Sequence, residues 1–178
     1  PKSECALSLI RVACYVNQVD KAIDLAHHCM DKGYETTINL MATSRVLERD
    51  LDEALTDLAK SQVPVIYLVD SFGAMYSEQV QYLAKKYIWA LEGKTIGFHA
   101  HNNQQLACAN TIEAIICGVN YLDATIFGIG RGAGNCPLEL LLGFLKNPKF
   151  DLRPVLDTVQ SHLLPLSKEI ARSAELPP

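Results

Sequence analysis

His99 and His101 lie two positions apart in the run Gly97-Phe-His-Ala-His-Asn-Asn103, which closes an apolar stretch that begins at Thr95. Successive side chains of an extended segment point to opposite faces, so the two imidazoles project to the same side. Two imidazoles converging at a strand end are a natural pair of ligands for a divalent metal. Alone, the pair is a weak signal, and surface histidines or hydrogen-bonded core histidines are the more common reading of it. Further along, after a helical pattern from Leu106 to Cys117, the segment Leu122–Phe127 runs into Gly128-Ile-Gly-Arg-Gly-Ala-Gly-Asn135. Alternating glycines permit positive φ and a close backbone approach to a ligand. Such a loop also suits a phosphate, but it lacks the Lys-Ser/Thr pair of a P-loop.

Elements able to position these residues follow from the hydrophobic pattern. Apolar, β-branched runs at Arg11–Val16, Thr36–Met41, Val63–Asp70, Thr95–His101 and Tyr121–Gly128 read as strands. Between them lie amphipathic patterns. Val19, Ala22, Ile23, Ala26, Cys29 and Met30 share one helix face, with Gly33 placed to stop it. Leu51, Ala54, Leu55 and Leu58 follow Asp50 as an N-cap, and Ser77 caps a third helix carrying Val80, Leu83, Ala84, Tyr87 and Leu91. A last amphipathic helix is expected from Asp151 to Leu164. Strand starts recur at roughly 25–32 residues, the length of one βα unit. The strands are apolar nearly throughout, as in a parallel sheet covered on both faces. No linker or low-complexity segment interrupts the pattern, so residues 1–178 read as a single domain. An open doubly wound sheet would carry a phosphate fingerprint in its first βα turn, and none is present. A (β/α)8 barrel of the TIM type is the other architecture that the repeated strand–helix unit allows. Five strands are too few for a complete one, which takes about 250 residues, so its first strands are expected to be missing.

The stretch GFHAHNNQQLACAN, Gly118, and the stretch LDATIFGIGRGAGNCPLE together resemble the metal-dependent lyase superfamily. That superfamily includes HMG-CoA lyase, isopropylmalate and homocitrate synthases, and 4-hydroxy-2-oxovalerate aldolase. The metal-dependent pyruvate aldolase branch is the nearest: Asn103 and Leu106 continue its histidine motif, and the loop reads GxGxGxGN. The strand end Val69-Asp-Ser-Phe-Gly-Ala-Met75 is similar to the aldolases' acidic strand terminus. The resemblance is dense over residues 63–143. It implies that His99 and His101 bind Mn²⁺ or Mg²⁺, that Asn135 contributes to the metal site, and that Asp70 and Ser71 lie beside the substrate. Thr125 is expected to point inward near the same site, as is Asn39, a polar residue inside an apolar strand; Arg131 can meet a substrate carboxylate. The implied reaction is aldol cleavage of a 4-hydroxy-2-oxo acid to pyruvate and an aldehyde. Two alternatives stay open, an acyl-CoA-dependent lyase or condensing synthase of the same superfamily, and a non-catalytic degenerate barrel. One departure matters. The family's first-strand Arg-Asp-Gly motif, which supplies an anionic ligand and an electrophilic Arg, is not found in this sequence, which starts at Pro1 without Met. Those residues are expected either in an N-terminal region upstream or from elsewhere.

Composition bounds the partners. A net charge of −4, with no basic run longer than Lys85-Lys86, argues against nucleic acid or an anionic membrane surface. No apolar stretch approaches the roughly 20 residues that span a bilayer. Six scattered cysteines without a CxxC pair read as buried reduced thiols of a cytoplasmic protein. A small hydroxy-keto acid is the expected partner; the resemblance leaves open a homo-oligomer or an aldehyde dehydrogenase partner. Structural or solvated roles are expected for His27, His28 and His162, and no reactive role for Cys136. For Asp70 the simpler alternative is a cap on the following turn.

Overall fold

The computed structural model describes residues 2–145 and 149–167. Five parallel strands, β1 (Leu9–Cys14), β2 (Glu35–Leu40), β3 (Val65–Asp70), β4 (Thr95–Ala100) and β5 (Tyr121–Leu122), stand side by side in chain order. Helices α1 (Val19–Asp31), α2 (Glu48–Lys60), α3 (Ser77–Ala90) and α4 (Ala107–Ile116) connect them. A doubly wound sheet reverses its order at a switch point; this one never does. Each right-handed βα unit therefore adds its strand to the same edge and its helix to the same face.

One contiguous core results. Val12, Cys14, Ile38, Leu40, Ile66, Leu68, Ile96 and Phe98 face the helices and pack on α1 to α4 through side chains such as Ala26, Leu58, Tyr87 and Ala114. The other face carries Arg11, Asn39, Tyr67 and His99, and only Val65, Tyr67 and Val69 form an apolar cluster there. The expectation of strands apolar on both faces thus holds for β3 alone; β1 alternates in burial.

The sheet is an arc. In a flat sheet β1 and β5 would stand roughly 19 Å apart. Yet Arg11 on β1 reaches Asp123, just past β5, with hydrogen bonds of 3.1 and 2.5 Å. Only strong curvature, of the kind that closes barrels, brings the two ends within reach of two side chains.

Some local expectations change. The fifth strand was expected to reach Gly128 but ends at Leu122, because Thr125 N–H donates to the Cys136 carbonyl rather than to the sheet. A 3-10 turn, Ile126–Gly128, follows. Helix α2 begins at Glu48, leaving Asp50 inside the first turn, and α3 begins at Ser77 with Tyr76 as its cap. Pro137 precedes α5 (Leu138–Phe144), and the tail helix is α6 (Arg153–Thr158) running into a π-helical turn at Val159–Leu163. Of the six thiols only Cys14 and Cys136 are buried. Among the described residues no helix is long and apolar enough to cross a membrane.

Candidate metal site

At the C-terminal ends of the strands a cavity of about 390 Å³ opens on the concave face, lined by Arg11, Asn39, Ser71, His99, His101, Asp123 and Arg131 among others. Alternation along β4 puts both imidazoles there, as expected, with ring centroids 5.1 Å apart and planes at 84°. A second concavity of about 440 Å³, between the starts of α1 and α2, is lined by Asp20, Asp50, Glu53 and Asp57 but brings no imidazole to its wall.

His99 Nδ1 lies 2.9 Å from Asp123 Oδ2. Arg11 grips the same carboxylate with both guanidinium arms. Its charge sits 4.4 Å above the centre of the Tyr67 ring. Gly97 makes room for that ring: a Cβ there would stand 2.6 Å from its carbons. Burial alone would raise the Asp123 pKa, but hydrogen bonds from His99 and Arg11, with their charges, hold it below the ordinary carboxylate value. Tyr67 is pushed the other way, up to about 12, by burial and by the neighbouring Asp123 charge.

His101 occupies the end of the strand, where it pairs with Asn135 as an isolated antiparallel bridge. The glycine loop folds back against this point, with Asn102 N–H donating to the Gly134 carbonyl at 2.9 Å. Gly134 has φ +86°, and a Cβ on it would fall 2.1 Å from the Gly128 carbonyl oxygen, so any side chain here strains the loop and forces it to shift. Burial first, then the nearby His99 and Arg131, lower the His101 pKa. Asn135 donates its amide Nδ2 to the Ile129 carbonyl at 3.2 Å, while its Oδ1 is buried without a partner.

The two imidazoles form a donor pair that suits a divalent cation with a mixed N/O shell; Asn135 meets His101 through its backbone but is not among the residues that line the cavity. A hard anionic ligand is not among them. Asp123 is committed to Arg11 and His99, and no three His, Cys, Asp or Glu side chains converge among the described residues.

Of the residues singled out in the sequence, Asn39, Ser71 and Arg131 line the cavity with the two histidines. Asp70 does not. It pairs in register with Ala100 rather than His99, so it turns to the helix face, where it is fully buried and accepts hydrogen bonds from Ala74 and Met75 N–H. It caps the turn that carries Ser71 and Phe72. Thr125 is also displaced: the strand has ended before it, and its hydroxyl is buried without a partner, outside the cavity wall. Cys136 is buried and its thiol pushed up to about 12, in keeping with an inert role. His27 accepts a hydrogen bond from Gln62 N–H, which is structural. Arg11 and Asp123 went unnoticed as site residues. The available signal was a charged residue beside an otherwise apolar run, akin to the polar residue that marked Asn39.

The profile of the HMGL-like family matches residues 9–163. The chain belongs to the HMGL-like family. Among this family member's curated relatives, oxaloacetate decarboxylase of Mycobacterium tuberculosis is 33% identical over 166 residues, covering 89% of this chain and 48% of that protein. 4-Hydroxy-2-oxovalerate aldolase of Thermus thermophilus is 35% identical over 169 residues, covering 92% and 48%. The crystal structure of HMG-CoA lyase from Bacillus subtilis superposes with a TM-score of 0.75 at 15% identity, over 86% of this chain and 61% of that one. That likeness establishes the parallel TIM-barrel-type fold, here present as a five-stranded part. This HMGL-like chain spans about half the length of the curated relatives it matches.

Proposed function

We propose that this HMGL-like protein cleaves a carbon–carbon bond of a 2-oxo acid with a divalent cation, Mn²⁺ or Mg²⁺, and that its substrate is a 4-hydroxy-2-oxo acid split into pyruvate and an aldehyde. The paired imidazoles at the end of β4 carry this reading. Residues 1–178 are read as part of one barrel domain, and the 35% identity to an aldolase supports the choice of branch.

His99, His101 and the Asn135 amide oxygen would hold the cation, and a mixed N/O shell favours Mn²⁺ over Mg²⁺. Bound there, it supplies Lewis acidity to the keto-acid oxygens and a compact charge opposite the developing enolate. Arg131 presents an exposed guanidinium at the cavity wall, suited to a bidentate hold on the substrate carboxylate. Ser71 Oγ accepts from Ala42 N–H at 2.9 Å, which leaves its own proton to donate to substrate. Asn39 Oδ1 accepts from Thr37 Oγ1, leaving its amide N–H groups to face the cavity. Asp70 acts only by holding the Ser71 loop, and Thr125 drops out as a contact. Removal of the C4 hydroxyl proton needs a base. Among the described cavity residues no uncommitted carboxylate or third imidazole remains, so the base and the anionic ligand are assigned outside them.

That missing base favours one second reading, decarboxylation of a 2-oxo acid bearing a C4 carboxylate. It yields the same enolate without proton abstraction, and the mycobacterial relative carries that name. Turnover separates the two. The protein with Mn²⁺ and a 4-hydroxy-2-oxo acid is expected to release pyruvate and aldehyde in equal amounts, to stop on chelation and to recover on re-addition of metal. Carbon dioxide and pyruvate from a C4 dicarboxylic 2-oxo acid alone would install the second reading. No pyruvate from either substrate would end both.

A further inference from the structure

We propose that Arg11 and Asp123 are positioning residues that lock His99 in a single tautomer, its Nδ1 proton on Asp123 and its Nε2 lone pair turned to the cavity. An ionised carboxylate only accepts hydrogen bonds, so the 2.9 Å contact requires a proton on Nδ1. In a neutral ring the other nitrogen is then the acceptor. The carboxylate itself is held from across the arc. Arg11 spans from the first strand to the end of the fifth and takes both oxygens, at 3.1 and 2.5 Å, which fixes the carboxylate plane. Tyr67, lying under the guanidinium at 4.4 Å, fixes Arg11 in turn, and Gly97 leaves space for Tyr67. Among the described residues no carboxylate is hydrogen-bonded to His101, so Asp123 orients one of the two imidazoles and not the other.

The purpose of this lock rests on the reading of His99 as a metal ligand; the tautomer itself does not. An imidazole free to exchange tautomers offers its cavity nitrogen only part of the time, and partners that orient a ligating ring contribute about 10–100-fold to metal affinity.

Long-range ¹H–¹⁵N spectra of the full chain without metal, at a pH where the ring is neutral, decide the matter. His99 is expected as the Nδ1–H tautomer. In Asp123→Asn an amide N–H can donate to Nδ1, so the ring is expected to shift towards Nε2–H, with Mn²⁺ affinity reduced about 10–100-fold. Arg11→Met is expected to give mixed tautomers and a smaller loss, with Arg11→Lys in between, because a point charge replaces a planar fork. His101 signals serve as an internal reference and stay unchanged. A wild-type Nε2–H tautomer would overturn the proposal. So would variants that lower thermal stability and Mn²⁺ affinity while His99 keeps its Nδ1–H signature, which is what a merely structural ion pair gives. Should Asp123→Asn fail to fold, the two Arg11 variants carry the same readout. Wild-type protein with the expected tautomer but no Mn²⁺ binding would remove the metal reading and leave the positioning claim supported.

Discussion

The two faces of this sheet are built from alternate residues of the same strands, yet they do opposite things. Towards the helices stand Val12, Ile38, Leu68 and Phe98, none more than 7% exposed. Towards the concave side stand Arg11, Asn39, Tyr67 and His99, each engaged in a hydrogen bond or in stacking, with only the small Val65, Tyr67 and Val69 cluster as apolar packing. Stability and chemistry are thereby separated by a single residue step. A strand whose odd positions are spent on polar groups survives because its even positions are buried under four helices.

That separation can be broken from either side. The largest effect is expected on the helix side. Phe98 is fully buried, and Phe98→Ala should cost about 3–5 kcal/mol in chemical denaturation while Mn²⁺ affinity of the folded fraction stays as in wild type. Gly134→Ala comes next, at about 1–3 kcal/mol, since the added methyl meets the Gly128 carbonyl and the backbone is held at φ +86°. It should also weaken Mn²⁺ binding, because the loop that seats His101 and Asn135 must move. Gly97→Ala is expected to cost about 1–2 kcal/mol by displacing the Tyr67 ring. Here the telling result is a crystal structure with Arg11 released from Asp123, since unchanged Arg11 geometry would show that Tyr67 does not support it.

The smallest effect is on pH dependence. Asp123 has a folded pKa below its ordinary value, so its contribution to stability is fully present above about pH 4 and is lost as pH falls through the folded value. Asp123→Asn should therefore flatten the acid limb of the stability profile. An acid limb equal to that of wild type would mean that other carboxylates control it.

Much of this was legible in the sequence. The histidine pair, the glycine loop and the alternating βα order followed from alternation, from glycine spacing and from the recurring βα length, all of them local properties; the barrel rested on the resemblance to the lyase superfamily. Asp70 was expected beside the substrate on the resemblance alone, from its place at a strand end, and the ladder decides otherwise: Val69 is the neighbour of His99, and Asp70 that of Ala100. Thr125 was misplaced because a β-branched residue was read as strand where the backbone had already turned to pair with Cys136. The Arg11–Asp123 contact joins residues 112 positions apart and exists only because the sheet curls, a property no single strand encodes.

Direct titration of Mn²⁺ into the protein, by calorimetry or by the loss of free-ion paramagnetic signal, bears most closely on the claim that the two concave-face imidazoles hold a cation. One saturable ion per chain is expected, with His99→Ala and His101→Ala each weakening it by more than about 100-fold, beyond the effect of an outer-shell change. Equal binding by wild type and both variants, or none by wild type, would contradict it.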